Sequence, residues 1–221
     1  ALLLITVGFL SFYFFVQTNL DEFKDKLIQE ISQQFEKKVE IESIEAYWRL
    51  TSPSITLNNL SIYNSALKKS FDLKKIRIDI SWLSLLKWKP VLDEIILYEP
   101  ILDIEKLKKN EYSIGGISIK TSKNSSAANW LLNQDEIIII NGKIKWSDRT
   151  RNAPPLIIEK ISATYESAVN LSYLNRSNFN INGELPNLNN QKININGYFD
   201  SFSIEKIKSS TGQLTLSAAK V

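Results

Sequence analysis

The side chains best placed to hold a charged ligand are Asp148, Arg149 and Arg151, which follow Trp146 in a run that closes on Pro154-Pro155. A guanidinium matches the oxygens of a phosphate, so Arg149 and Arg151 are candidate phosphate contacts. The competing reading is a set of ion pairs that pins a turn. Other chemistry is sparse. The chain has no His, Cys or Met. It therefore lacks an imidazole base, a thiolate metal site and a disulfide framework. Asp93-Glu94 and Asp135-Glu136 are adjacent carboxylates. Neighbours in a strand point to opposite faces, so neither doublet makes the acid/base pair of a carboxylate glycosidase. Trp48, Trp82, Trp88, Trp130 and Trp146 are scattered along the chain, which favours packing or anchoring over stacking on a ligand. These residues predict no enzyme, no metal site and no cofactor.

Composition narrows the classes further. The chain has 221 residues, of which 43% are hydrophobic, enough for an ordered core. A net charge of +3, with acids and bases interspersed, excludes the electrostatic footprint of a nucleic-acid binder. The absence of Cys suits the periplasm as well as the cytosol. The first residue is Ala1 and the last residues stop inside an alternating pattern, so a piece of a longer protein is expected.

Residues 1–16 carry no charge, and extended to residue 20 they are long enough to cross a bilayer core of roughly 30 Å. Phe12 to Phe15 would sit in the interfacial belt. The alternative is a cleaved signal peptide, against which the segment lacks a small-x-small cleavage pattern. A transmembrane anchor over 1–20 is thus expected to lead into an amphipathic capping helix over 21–37. Leu20, Phe23, Leu27, Ile31 and Phe35 form its apolar face. Asn19 is a candidate cap, and Asp21 and Glu22 suit the first turn.

From Val39 onward, period-two alternation predicts β-strands. Ile76, Ile78 and Ile80 alternate with polar residues; Ile96, Tyr98, Leu102 and Ile104 share one face, as do Ile138, Ile140, Ile144 and Trp146. Asn residues alternate with Phe179-x-Ile181 and Ile193-x-Ile195. Pro53, Asn58-Asn59, Asn110, Gly115-Gly116 and Pro186-Asn187 are turn signals. Short helices are expected at 84–88 and 127–134. A polar, Ser-rich loop divides the strands into segments 38–122 and 123–221. No helix of crossover length separates the strands, which predicts an antiparallel sheet. Such a half-apolar sheet buries its dry face in a closed core or leaves an open groove, and the pattern alone favours the core.

One combination of motifs is more specific. Trp130-Leu131-Leu132-x-Gln134 is followed by Ile137-x-Ile139, Gly142-x-Ile144-x-Trp146-x-Asp148 and Arg151-x-Ala153-Pro154-Pro155-Leu156. Upstream stand Pro53-x-Ile55-x-Leu57-x-Asn59-Leu60, Ile80-Ser81-Trp82-x-Ser84-Leu85-Leu86, Pro100-x-Leu102-x-Ile104 and Gly115-Gly116-Ile117. Together they resemble the N-terminal region of the YhdP branch of AsmA-like proteins, well over residues 1–165 and weakly beyond 167. The resemblance implies a single-pass anchor in the Gram-negative inner membrane, with the bulk of the chain periplasmic. It implies a curved, taco-like β-groove with an apolar interior, and movement of phospholipid towards the outer membrane. Its implied partners are phospholipid, the inner membrane and an outer-membrane or periplasmic protein. No catalytic residues come with it. On this reading Ile76, Ile78, Ile80, Ile96, Tyr98, Leu102, Ile104, Ile138, Ile140 and Ile144 are the lipid-groove candidates, and Arg149 and Arg151 the headgroup contacts. A structural or assembly factor for outer-membrane biogenesis, with a closed core, is the alternative.

Overall fold

The computed structural model describes residues 19–35, 37–49, 52–63, 69–81, 92–108, 111–114, 117–120, 134–151, 153–167, 177–199 and 212–219. Among these, a helix, α1 (Leu20–Phe35), precedes β1 (Val39–Arg49), β2 (Ser52–Tyr63), β3 (Lys69–Ile80), β4 (Leu92–Tyr98), β5 (Ile101–Lys108), β6 (Glu111–Ile114), β7 (Ile117–Lys120), β8 (Glu136–Asp148), β9 (Leu156–Glu166), β10 (Ser177–Leu185), β11 (Gln191–Phe199) and β12 (Gly212–Ala219). The chain is mainly β with an N-terminal helix, as its alternation requires. Almost all of the expected anchor, the helix at 84–88 and the helix at 127–134 up to Gln134 lie outside the described residues. Among the described residues no helix is long and apolar enough to cross a membrane.

Helix α1 carries Asp21 and Glu22 in its first turn, where they complement the helix dipole. Its partly buried strip is Leu20, Leu27, Ile28 and Ile31, packed on the core of β1 to β4. Phe23, expected on that strip, is 46% exposed. At about 100° per residue Phe23 and Ile28 flank opposite sides of the Leu20–Leu27–Ile31 line, and the helix rolls towards Ile28. The side chain of Phe35 lies outside the description.

The strands form one 12-stranded sheet. Its spatial order is β1, β2, β3, then β4 and β5 end to end, then β8, β9, β10, β11 and β12; β6 and β7 form a hairpin beside β5. Among the described residues β1 pairs only with β2, and β12 only with β11. The antiparallel expectation fails at β8, which runs parallel to both β4 and β5. The reason is the path: after the hairpin, the chain re-enters beside the start of β4, where the Asp135 N–H donates to the Leu92 carbonyl at 3.3 Å. These pairings join segments 38–122 and 123–221 in the same sheet.

Strict alternation also breaks, along a row that crosses the sheet. In β1, β2 and β3 the buried pairs are Ile41 and Ile44, Leu57 and Leu60, and Leu73 and Ile76, each three residues apart. Two successive residues between each pair face away, among them Asn59 and Lys74. The skip recurs at Glu99, Asn141 and Lys160. Asn59, Glu99, Asn141 and Lys160 have φ of 49°, 49°, 55° and 51°, a left-handed step that inserts an extra outward residue. The row is tied together by a hydrogen bond from Asn59 to Glu42 and by a Lys74–Glu99 ion pair of 2.6 Å. Pro53 and Asn58-Asn59, read as turn signals, therefore lie inside β2. Pro186, by contrast, opens a turn of 3-10 helix between β10 and β11.

Candidate functional site

Cross-strand register traces the apolar face residue by residue, because directly paired residues share a face. Ile44 pairs with Leu57, Leu57 with Ile76, Ile76 with Leu97, and Leu97 with Ile139. Ile139 pairs with Ala163, Ala163 with Ile181, Ile181 with Ile195, and Ile195 with Leu216. This line spans the sheet from β1 to β12 with an apolar residue at every step. A parallel line runs Ile62, Phe71, Leu102, Ile144 and Ile158.

Cover over this face is uneven. Under α1, Leu57 and Ile76 are 6% and 8% exposed, whereas Leu216 at the far edge is 64% exposed. The contiguous buried cluster ends at Leu92 and Ile95, with Leu97 partly buried against it. Further along, Ile161 and Leu185 are buried, while Ile139, Ile144, Ile181 and Ile195 are intermediate. Aromatic rings line one end of this half: Tyr165 stacks on Phe199 at 6.1 Å between centroids, and Phe179 lies 6.2 Å from Phe199. Gly142 sits on this face where space is tight. A Cβ there would lie 3.0 Å from Ile139 Cγ2 and 3.2 Å from Pro100 Cγ.

The structure divides the residues picked from the sequence. Ile76, Ile78, Ile80, Leu102, Ile104 and Ile144 share the apolar face. Ile96, Tyr98, Ile138 and Ile140 are on the opposite face. Ile96 pairs with Arg77, and the Tyr98 ring lies under Lys75 Nζ at 5.6 Å. Ile138 and Ile140 run beside Ile96 and Tyr98 in register. The cause is the extra outward residue at Glu99 and Asn141, which reverses the parity on either side. Counting missed Leu97, Ile137, Ile139 and Ile161. The signals that mark the reversal are Glu99-Pro100 and Asn141-Gly142, turn-type pairs inside apolar runs.

Arg149 and Arg151 stand at the end of β8, both exposed. Arg149 is paired with Glu105, which raises its pKa, and Arg151 Nε lies 3.5 Å from Asp148. Asp148 also accepts bonds from the Thr150 hydroxyl and N–H and faces Lys106 at 3.3 Å; the Thr150 hydroxyl is the main reason its carboxyl titrates low. These contacts pin the turn into β9.

The opposite face carries polar clusters beside Ile96, Ile138 and Ile140. Arg77 binds Glu94 and lies 3.5 Å from Asp79, which accepts from Ser54. Glu94, Glu136 and Glu166 stand side by side in register. Burial first, then the charges of Glu94 and Glu166, raise the Glu136 pKa. Among the described residues no carboxylate group is arranged to hold a metal ion. Gln134, the last residue of the Trp-Leu-Leu motif, has a structural role: its buried amide oxygen accepts from the Leu92 N–H at 3.0 Å.

The family comparison places this helix-packed sheet among AsmA-like envelope proteins. Within that class, the YhdP protein family matches residues 1–221, and the chain belongs to it. The family is not one of known enzymes. No curated protein matches the chain.

Proposed function

We propose that the apolar face is the membrane-proximal start of a conduit for phospholipid acyl chains, leading from the inner membrane towards the outer membrane. Residues 1–20 anchor the chain in the inner membrane, α1 caps the first strands, and the rest lies in the periplasm. The protein acts by sheltering lipid rather than by catalysis. The observation that carries this reading is the apolar line from Ile44 to Leu216, covered by α1 at one end and increasingly exposed towards the other. Moving a lipid through water costs about 0.8 kcal/mol for each exposed CH₂. A continuous apolar strip removes that cost without binding tightly at any one point. On this reading Ile76, Ile78, Ile80, Leu102, Ile104 and Ile144 belong to the groove, joined by Leu97, Ile139, Ala163, Ile181 and Ile195. Ile96, Tyr98, Ile138 and Ile140 do not. Exchange of their present carboxylates for a phosphate would let Arg149 and Arg151 meet headgroups at the rim.

The test is site-specific photo-crosslinking in Gram-negative cells. A crosslinker at Ile139, Ile144 or Ile195 should capture phospholipid, and one at Ile140 or Lys143 should not. Ile140 is the sharper control, being apolar and adjacent to Ile139 but on the other face. Equal capture at Ile139 and Ile140, or protein adducts alone, would reject the conduit and favour a scaffold with a closed core.

A further inference from the structure

The outer faces of β9 to β12 carry a site separate from the groove. A depression of about 350 Å³ is lined there by Lys160, Asn182, Glu184, Lys192, Asn194 and Ser217. That size falls at the small end of ligand clefts, about 300–1,000 Å³. Gly183 and Ile193, a directly opposed pair, also line it. Their side-chain positions belong to the groove face, so they give the depression a backbone floor.

Several features shape this depression. Lys160 is held in a left-handed conformation, φ 51°, at the point where pairing of β9 with β10 shifts register. This step belongs to the row of left-handed residues that crosses the sheet, and it sets Lys160 on the outer face. Lys160 is paired with Glu184 at 2.7 Å. Lys192 directly opposes Glu184 in register, yet among the described residues no ion pair to Lys192 occurs. Its lining holds two ammonium groups and one carboxylate, and the neighbouring Glu159, opposite Glu184, is paired with Lys143 at 2.6 Å.

The amides are fixed in a chain. Asn196 Nδ2 donates to Asn194 Oδ1 at 2.9 Å, Asn194 Nδ2 donates to Asn182, and Asn182 Nδ2 donates to Asn180 Oδ1 at 2.7 Å. Each amide nitrogen carries a second hydrogen and each amide oxygen a second lone pair, so both a donor and an acceptor remain at every step. Ser217 adds a hydroxyl of the same dual character.

We propose that this depression binds a sugar unit bearing one anionic substituent, a carboxylate or a phosphate. Sugar hydroxyls are both donors and acceptors, which matches the amide and hydroxyl walls. The anionic substituent matches the excess positive charge at Lys192. None of the lining residues is aromatic, so a nucleobase would find no stacking platform there.

The experiment uses the whole 221-residue chain in detergent, titrated by NMR or calorimetry with oligogalacturonate, glucose 6-phosphate, inorganic phosphate and neutral dextran oligomers. Binding is expected for oligogalacturonate or glucose 6-phosphate, whichever substituent the site prefers, and should be at least tenfold weaker for dextran and for phosphate alone. Lys192→Ala should weaken it at least tenfold, Lys192→Arg should retain most of it, and Lys143→Ala should leave it unchanged. Circular dichroism checks that each variant is folded. The proposal is overturned if dextran binds as well as the acidic sugars, if phosphate alone accounts for the binding, if folded Lys192→Ala binds normally, or if neither acidic sugar binds. Because the readout does not involve the groove, its failure leaves the conduit reading standing, and the reverse also holds.

Discussion

The face assignment rests on register, and a pair of adjacent substitutions in β8 tests it most directly. Ile139 pairs with Leu97 and Ala163 on the apolar face, whereas Ile140 runs beside Tyr98 and is 39% exposed. Replacing Ile139 with Asp removes about half of an isoleucine's burial, about 1–2 kcal/mol. It also places a carboxyl among apolar neighbours, at a further cost of about 1–3 kcal/mol. The sum is about 2–5 kcal/mol. Ile140→Asp points to the opposite face and should stay within about 1 kcal/mol. For a chain of this size each kcal/mol shifts Tm by about 2–4 °C. The midpoint of thermal unfolding of the detergent-solubilised protein, followed by circular dichroism at pH 7, should therefore fall by about 4–20 °C for Ile139→Asp and by about 4 °C or less for Ile140→Asp. The Ile139→Asp loss should shrink at acid pH. Burial holds its carboxyl above the ordinary carboxylate range in the fold, so the charge penalty shrinks as pH falls through that raised value and is gone below the ordinary range. If Ile140→Asp is the more damaging change, the row of left-handed residues does not reverse the parity and Ile139 is not on the apolar face.

Other expectations follow from single contacts. Gln134→Leu removes the buried acceptor of the Leu92 N–H and should cost about 1–3 kcal/mol in a urea titration. Gly142→Ala forces a Cβ against Ile139 and Pro100 and should cost about 1–3 kcal/mol by the same measurement. Glu136→Gln should raise the urea midpoint at pH 7, because the raised folded pKa means that the charged form is disfavoured in the fold. That gain should vanish as pH drops below the ordinary carboxylate range, where Glu136 is protonated in both states.

Much of the fold was legible in residue order. Alternation in Ile76 to Ile80 sets one dry face whatever the neighbours are, because side chains in a strand alternate by geometry. The periodicity of Leu20, Leu27 and Ile31 likewise marks a helix that must bury one side. The Asn-alternating strands β10 and β11 were equally clear, since Phe179, Ile181, Ile193 and Ile195 each have Asn neighbours. The run Ile137 to Ile140 was not. Four successive isoleucines have no phase of their own, so any assignment borrows its phase from residues further along. Counting back from Ile144 crosses Asn141, where the left-handed backbone adds an outward residue and shifts the alternation by one. The same loss of phase at Glu99 misplaced Ile96 and Tyr98.

What the sequence by itself determined is therefore the kind of surface: an amphipathic helix followed by strands with one apolar side, no imidazole or thiol chemistry, and a motif order shared with one envelope family. Local sterics and side-chain polarity are enough for that. Tertiary structure alone decided which isoleucines make the apolar line, that β8 enters parallel to β4 and β5, and that Arg149 and Arg151 are held by Glu105 and Asp148. Those outcomes depend on the backbone conformation of single residues and on pairing between segments far apart in the chain. Alternation describes each strand alone and carries neither.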